Sequence, residues 1–82
     1  MIHVIAAITV QPGRRDDFLA EFHKIVADVR AEEGCLDYGP TVDFPTNIPA
    51  QPAERPDVVT VVEKWESLDH LEAHLIAPHM LA

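Results

Sequence analysis

The 82-residue sequence predicts a single α+β domain, residues 1–82, on three observations. Residues 2–10, 35–44 and 58–65 are rich in β-branched and apolar residues with the short period of strands. Residues 14–33 and the segment from Ser67 to Pro78 have the 3.6-residue period of amphipathic helices. The resulting order, β-α-β-β-α, is the split βαβ or ferredoxin-like order without its last strand. We expect an antiparallel sheet with helices on one face.

The first strand, IHVIAAITV, ends at the turn signal Gln11-Pro12-Gly13. Alternate side chains of a strand point to opposite faces of the sheet, and here both sets are largely apolar. We therefore expect both faces of the sheet to be covered.

The first helix follows over residues 14–33 and ends before Gly34, which suits a left-handed cap. Asp16 and Asp17 lie in its first turn, where the helix dipole favours negative charge. We place its charged side chains, Glu32 among them, on the solvated face. Its apolar stripe consists of Phe18, Phe22, Ile25 and Val29.

The second strand, residues 35–44, contains Gly39-Pro40, which predicts an edge position or a bulge there. Its alternation places Leu36, Tyr38, Val42 and Phe44 on one side. Residues 45–56 have four of the seven prolines and no periodicity, so they predict a long loop, which could be a lid, an arm to a partner or a disordered segment.

The third strand, residues 58–65, begins with five mostly apolar residues, which favours a central position in the sheet. Ser67 is placed to cap the next helix. We expect Leu68, Leu71 and Leu75 to form the core stripe of that helix, and Pro78 to end or redirect it.

The composition excludes several classes of partner. Fourteen acidic against six basic residues give a formal charge of -8, which disfavours nucleic acid and anionic membranes. No apolar run reaches the length of a membrane span, and Cys35 is the only cysteine, so we predict a cytoplasmic protein. A domain this small buries a limited core, and a second copy would supply the missing burial, so we expect a homodimer.

Three side chains near the third strand are the first candidates for a site. Trp65 ends that strand, where its indole can cover an apolar pocket or anchor the core. His74 lies on the flank of the leucine stripe, where its imidazole could serve as a general base or remain a rim histidine without a task. His79, just after Pro78, could reach the same cleft.

Tyr38 on the second strand and Phe22 from the first helix are further candidates for contact with a substrate, or are core residues. His70 and His74 have the spacing of a metal pair, but His70 falls on the polar face and no third ligand is evident, so we predict no metal. The sequence lacks GxGxxG, P-loop and GxSxG motifs, and we expect no cofactor.

Three segments, in order, resemble one family. They are IHVIAAITVQPGRRDDFLAEF at the start, EEGCLDY after the first helix, and VVEKWES followed by HLIAPHM. Together they resemble the antibiotic biosynthesis monooxygenase (ABM) domain family, which includes small quinol monooxygenase-like proteins. The resemblance covers nearly the whole chain.

The resemblance implies a ferredoxin-like fold that pairs into a dimeric α/β-barrel, with a pocket between sheet and helices. It also implies oxygenation by O₂ of small electron-rich aromatics such as quinols, without metal or organic cofactor. Trp65, His74 and His79 match the family's tryptophan and histidines in position. The family's fourth strand is missing after Ala82.

The sequence departs from the pattern of the family at two positions. Val61 stands where anthrone-oxygenating members have an asparagine, and about Ala6 stands where haem-degrading members have one. These losses favour an alternative, a dimer that binds small aromatic or quinone compounds without turnover. A third possibility is an isomerase of a small carbonyl compound, which would need a phosphate grip from Arg14, Arg15 or Arg55.

Overall fold

The computed structural model describes residues 1–81, and the predicted order of elements is confirmed. A short helix, which the sequence did not predict, begins at Pro78. The elements are β1 Ile2–Thr9, α1 Arg15–Arg30, β2 Cys35–Thr41, β3 Val58–Trp65, α2 Leu68–Leu75 and α3 Pro78–Leu81.

The three strands form an antiparallel sheet in the order β1-β3-β2. The predicted central position of β3 is therefore confirmed. β2 pairs with β3 alone among residues 1–81, so Pro40 lies on an edge strand, as predicted. The bulge, however, lies between Cys35 and Asp37, while Gly39 and Pro40 stay in register.

All the helices that pack on the sheet cover one of its faces. The side chains of that face alternate along the strands and include Ile2, Val4, Ala6 and Ile8 of β1, Tyr38 of β2, and Val59, Val61, Glu63 and Trp65 of β3. The opposite face is open in the single chain, and Ile5 there is 76% exposed. The expectation that both faces are covered is wrong for one chain, because no described element crosses to the second face.

The second strand is shorter than predicted. β2 ends at Thr41, so Val42 and Phe44 do not share the environment of Tyr38 and are exposed, as is Leu36 at the bulge.

Residues 42–57 contain no strand or helix, which confirms the loop. Asp43 and Arg55 join its two ends through a hydrogen-bonded ion pair with an Nε–Oδ2 distance of 2.9 Å. Hydrogen bonds from the Arg55 side chain and backbone lower the pKa of Asp43 to about 2.

The predicted leucine stripe of α2 is wrong. Leu71 packs against the core, but Leu68 and Leu75 are 54% and 57% exposed. His74, three residues after Leu71, is the residue that α2 buries. The capping role of Ser67 is confirmed, because its hydroxyl accepts a hydrogen bond from the backbone N–H of His70 at 3.3 Å.

The core lies between α1 and the covered face of the sheet. Its fully or nearly buried members are Val26, Val29, Tyr38, Val61 and Trp65. Gly34, after α1, has a φ of +79°, as the predicted left-handed cap requires, although α1 itself ends at Arg30. Within residues 1–81, none of the helices combines the length and apolar character that crossing a membrane requires.

Candidate functional site

His74 is the centre of a cluster of side chains at the end of β3. It is only 1% exposed, and its ring lies 4.7 Å from the ring of Trp65 and 5.5 Å from that of Tyr38, measured between centroids. The sequence predicted that His74 would look into a cleft from the edge of the helix. The structure buries it because α2 turns Leu71 and His74 toward the sheet and leaves Leu68 and Leu75 exposed.

Glu32 joins His74 to His79. Its Oε2 lies 2.9 Å from Nδ1 of His74 and 2.7 Å from Nε2 of His79. An ionised carboxylate can only accept hydrogen bonds, so each histidine donates a hydrogen bond from a ring N–H to the same oxygen. His79 therefore reaches the cluster, as the sequence predicted, through a residue that the sequence placed in solvent.

The prediction that Glu32 is solvated is wrong, since its side chain is only 15% exposed. Burial by itself would raise the pKa of Glu32. The hydrogen bonds from His74 and His79, and their electrostatic attraction, outweigh that effect and lower the pKa below its usual range. Glu32 is thus an anion that two imidazoles hold inside the protein.

Glu63 is a second carboxylate at the cluster. Its Oε1 accepts a hydrogen bond of 2.9 Å from Nε1 of Trp65 and lies 3.8 Å from Nε2 of His74. The two nitrogens of the His74 ring thus face two different carboxylates. Among residues 1–81, neither carboxylate has a lysine or arginine nitrogen within 4.0 Å.

Neither glutamate was predicted from the sequence as a site residue, although the sequence contains a signal for each. Glu63 has the same parity as Val59, Val61 and Trp65, so the alternation of β3 alone places it on the buried face. Glu32 follows Val29 by three residues and thereby continues the apolar stripe of α1 beyond the end of the helix.

The predicted aromatic contacts, Phe22 and Tyr38, stack on each other with ring centroids 5.6 Å apart. Tyr38 in turn contacts His74, so all the candidate residues form one connected cluster. Burial raises the pKa of Tyr38 to about 12, with Glu63 and Glu32 adding to the effect. The phenol is therefore neutral at physiological pH.

Three cavities within residues 1–81 lie away from the cluster, and none of them is the pocket expected between the sheet and the helices. The first, about 320 Å³, lies at the start of α1. The second, about 310 Å³, lies in the loop next to Asp43 and Arg55, and the third lies beside Gly13 and Asp57. The solvent-accessible side of the cluster is that of His79, whose side chain is 24% exposed.

Two other positions show how apolar this region is. Val61 and Ala6, where the resemblance leads one to look for asparagines, are paired across β3 and β1 on the covered face. Neither offers a polar group. The two departures found in the sequence therefore fall at a single place in the structure.

His70 takes no part in the cluster. Its Nδ1 lies 2.7 Å from the Ser67 hydroxyl, and its ring packs against Gly34. The residue that the sequence placed on the polar face of α2 is thus only partly exposed, with 28% of its side chain in contact with solvent. Cys35 is partly buried, and burial followed by the charges of Glu32 and Glu63 raises the pKa of its thiol. A raised thiol pKa disfavours the reactive thiolate.

Known proteins resemble the chain in sequence and in fold. The family described as antibiotic biosynthesis monooxygenase (ABM) matches residues 1–82. The chain belongs to this family. It is 46% identical over 84 aligned positions to the "Probable quinol monooxygenase YgiN" of Escherichia coli K12, and it covers 80% of that protein. The Shigella flexneri protein of the same name shows the same identity and coverage.

Solved structures confirm the ferredoxin-like architecture of ABM proteins. A conserved protein from Methanosarcina mazei Go1 superposes with a TM-score of 0.79 at 25% identity, over 96% of this chain and 69% of that one. PA3566 from Pseudomonas aeruginosa gives a TM-score of 0.74 at 30% identity, over 96% and 71% of the two chains. The expected family and the ferredoxin-like fold of the single chain are therefore both confirmed.

Proposed function

We propose that the chain is a cofactor-independent monooxygenase acting on small electron-rich aromatics such as quinols. The observation that carries the proposal is the Glu32–His79 pair at the accessible side of the aromatic cluster. Family membership and the name of the 46% identical relative support the reaction class.

The geometry favours His79 as the base that meets substrate. Its Nε2 is committed to Glu32, which leaves Nδ1 without a hydrogen-bonding partner among residues 1–81. In this arrangement the carboxylate fixes the tautomer and stabilises the imidazolium that forms, as in other carboxylate–histidine pairs. Both nitrogens of the buried His74 face carboxylates, so His74 serves to position Glu32.

The proposed chemistry needs no external reductant. Removal of a phenolic proton by His79 gives an anion that passes one electron to O₂, and the resulting radical pair recombines to a peroxide anion. This anion takes the proton back from His79 and becomes a hydroperoxide. Loss of water from the hydroperoxide leaves one oxygen atom in a hydroxyquinone and the other in water, so the quinol supplies all four electrons. The protein contributes proton removal, orientation and exclusion of water.

We also infer that the open face of the sheet packs against a second copy of the chain. That face carries Ile5 and its cross-strand partner Val62, both exposed, with exposed Leu36 at its edge. Burial of such a surface would supplement the small core of one chain. The dimer would leave the cluster on the other face of the sheet undisturbed.

The test is oxygen uptake with reduced menadione, a naphthoquinol, measured above enzyme-free autoxidation. We expect His79→Ala to lower the rate by about 10²- to 10⁴-fold, the usual contribution of a general base. His23→Ala, on the exposed face of α1, is the matched control and should retain full activity. Full activity in a folded His74→Ala/His79→Ala double variant would exclude these residues as the base.

A non-catalytic binding role is the second candidate, because the cluster is closely packed and Val61 and Ala6 supply no polar group for an oxyanion. Calorimetry with menadione that shows tight binding, with no oxygenated product by mass spectrometry, would support this role. An isomerase has less support. Arg14 and Arg55, two of its three possible phosphate ligands, are paired with Asp17 and Asp43 away from the cluster.

A further inference from the structure

We propose that Glu32, His74 and His79 form a binding site for a divalent first-row transition metal such as Zn²⁺. The three residues come from separate segments: the turn after α1, α2 and α3. One ligand atom from each lies within 4.8 Å of the other two. This site shares only His74 with the His70–His74 pair that the sequence suggested and disfavoured.

The donor set has the right chemistry. Two imidazole nitrogens and one carboxylate oxygen hold Zn²⁺ in hydrolytic sites and Fe²⁺ in non-haem oxygenases, in each case with positions left for water or substrate. The partial exposure of His79 provides an entry path from solvent.

The distances are close to those that a metal requires. With bonds of about 2.0 to 2.1 Å, tetrahedral ligand atoms lie about 3.3 Å apart. The two nitrogen–oxygen distances are 2.9 and 2.7 Å, so each must open by about half an ångström to admit the ion. The two imidazole nitrogens lie within 4.8 Å of each other, and His79 must move toward His74 to bring them to tetrahedral spacing. The carboxylate and the ring of His79 are partly exposed and can make this adjustment, while the buried His74 stays in place.

Glu63 supplies the outer partner that metal-bound histidines usually have. If the metal takes Nδ1 of His74, the ring proton moves to Nε2, which lies 3.8 Å from Oε1 of Glu63. Glu63 is itself fixed by the indole N–H of Trp65. A carboxylate behind the histidine orients the ring and raises its basicity toward the metal.

The charges of the cluster also favour a bound cation. Two largely buried carboxylates, Glu32 and Glu63, face two imidazoles, and no lysine or arginine within residues 1–81 forms an ion pair with either of them. Buried anions require compensating positive charge, which a divalent cation would supply. The formal charge of -8 on the whole chain also favours cations over anions.

The site is testable by calorimetric titration of metal-free protein with Zn²⁺, and with Co²⁺ as a spectroscopic probe. We expect one ion per chain and Co²⁺ absorption bands typical of nitrogen and oxygen ligands in low coordination. His79→Ala and Glu32→Gln should each weaken Zn²⁺ binding by more than about 100-fold, and Glu63→Gln by about 10- to 100-fold. Circular dichroism establishes that each variant is folded.

His23→Ala and Glu33→Gln are the matched controls, since both side chains are exposed. They should leave the affinity for Zn²⁺ unchanged. Equal binding by wild type and a folded His79→Ala variant, or absence of Zn²⁺ binding by wild type, would overturn the proposal.

Metal binding is measured without substrate and does not rest on the proposed function. One consequence does rest on it: an ion held by Glu32 and His79 would remove the pair that the base requires. Added Zn²⁺ would then inhibit oxygen uptake from reduced menadione. If binding is found without any oxygenase activity, the metal site stands and the proposed function fails.

Discussion

Glu63 and Trp65 stand two positions apart on β3, and their side chains share a hydrogen bond inside the core. This contact explains how a carboxylate remains on the face of β3 that Val59 and Val61 also occupy. The indole N–H gives Glu63 a donor, just as Glu32 receives donors from two imidazoles. Individual residues of the site are thus held by partners whose chemistry matches, and each pair satisfies groups that would otherwise be costly to bury.

Tyr38 gives a pH prediction that a single signal can report, because it is the only tyrosine in the chain. Burial and the two nearby glutamates raise its pKa from 10.0 to about 12. The raised pKa stabilises the fold at full strength below pH 10.0, and that contribution is lost as the pH rises through about 12. Ultraviolet absorbance of the tyrosinate should give a midpoint near 12 in the folded protein.

The matched control is the same titration in denaturant, which should show a midpoint of about 10. Circular dichroism at each pH separates ionisation of Tyr38 from alkaline unfolding. A midpoint of about 10 while the protein remains folded would mean that Tyr38 is not buried beside the glutamates.

At the scale of elements, the turn that joins α1 to β2 determines where the site is built. It carries Glu32 and then Gly34, whose carbonyl accepts a hydrogen bond of 2.8 Å from the backbone of Glu66. Gly34 also lies directly against the ring of His70 at the start of α2. The turn thereby fixes α2 relative to α1, which brings His74 to Glu32.

Backbone conformation and close packing both favour glycine at position 34, whereas only backbone conformation favours it at Gly13. Both have positive φ, +79° and +77°, but an added Cβ at Gly34 would lie 2.2 Å from Cγ of His70, whereas at Gly13 it would meet nothing within 4 Å. We expect Gly13→Ala to cost about 1 kcal/mol of unfolding free energy, from backbone conformation alone. Gly34→Ala should cost about 1 to 3 kcal/mol more, because α2 must shift.

Urea denaturation of both variants at one protein concentration measures the difference. If the two alanine variants lose equal stability, the contact between Gly34 and His70 does not constrain the packing of α2. Zn²⁺ titration of Gly34→Ala provides a second readout, since a shifted α2 would also move His74.

At the scale of the whole molecule, the chain is a sheet with one covered and one open face. The helices and all the candidate residues lie on the covered side. The open side carries apolar side chains in a domain whose own core is small. This asymmetry is the physical basis for the proposed homodimer.

A charge on the open face should separate the proposed dimer. Ile5→Lys places an ammonium group opposite Val62, where a second copy would have to desolvate it. We expect wild type to sediment as a dimer and Ile5→Lys as a folded monomer in analytical ultracentrifugation. His23→Lys, which adds the same charge on the exposed face of α1, should remain dimeric.

A wild-type monomer, or an Ile5→Lys dimer as stable as wild type, would contradict the proposed interface. The side chain of Ile5 is exposed in the single chain, so the substitution itself should cost the monomer little stability. Loss of the dimer would therefore report the interface and not unfolding.

The sequence by itself determined the order of elements, the central position of β3, the edge position of β2, the capping role of Ser67 and the family. These features follow from local periodicity, turn chemistry and motifs in order, all of which a single chain displays. The sequence also selected Trp65, Tyr38, Phe22, His74 and His79, which the structure brings into one cluster.

Only the tertiary structure decided the rotation of α2, the burial of His74 and the inclusion of Glu32 and Glu63. An eight-residue helix with both leucines and histidines can bury either of two faces, and the choice depends on the side chains that it packs against. Here those side chains include two carboxylates, one from the turn after α1 and one from β3, and both are distant from α2 in sequence but close to it in space. The imidazole satisfies them where a leucine could not, and for that reason α2 buries His74 and exposes Leu68 and Leu75.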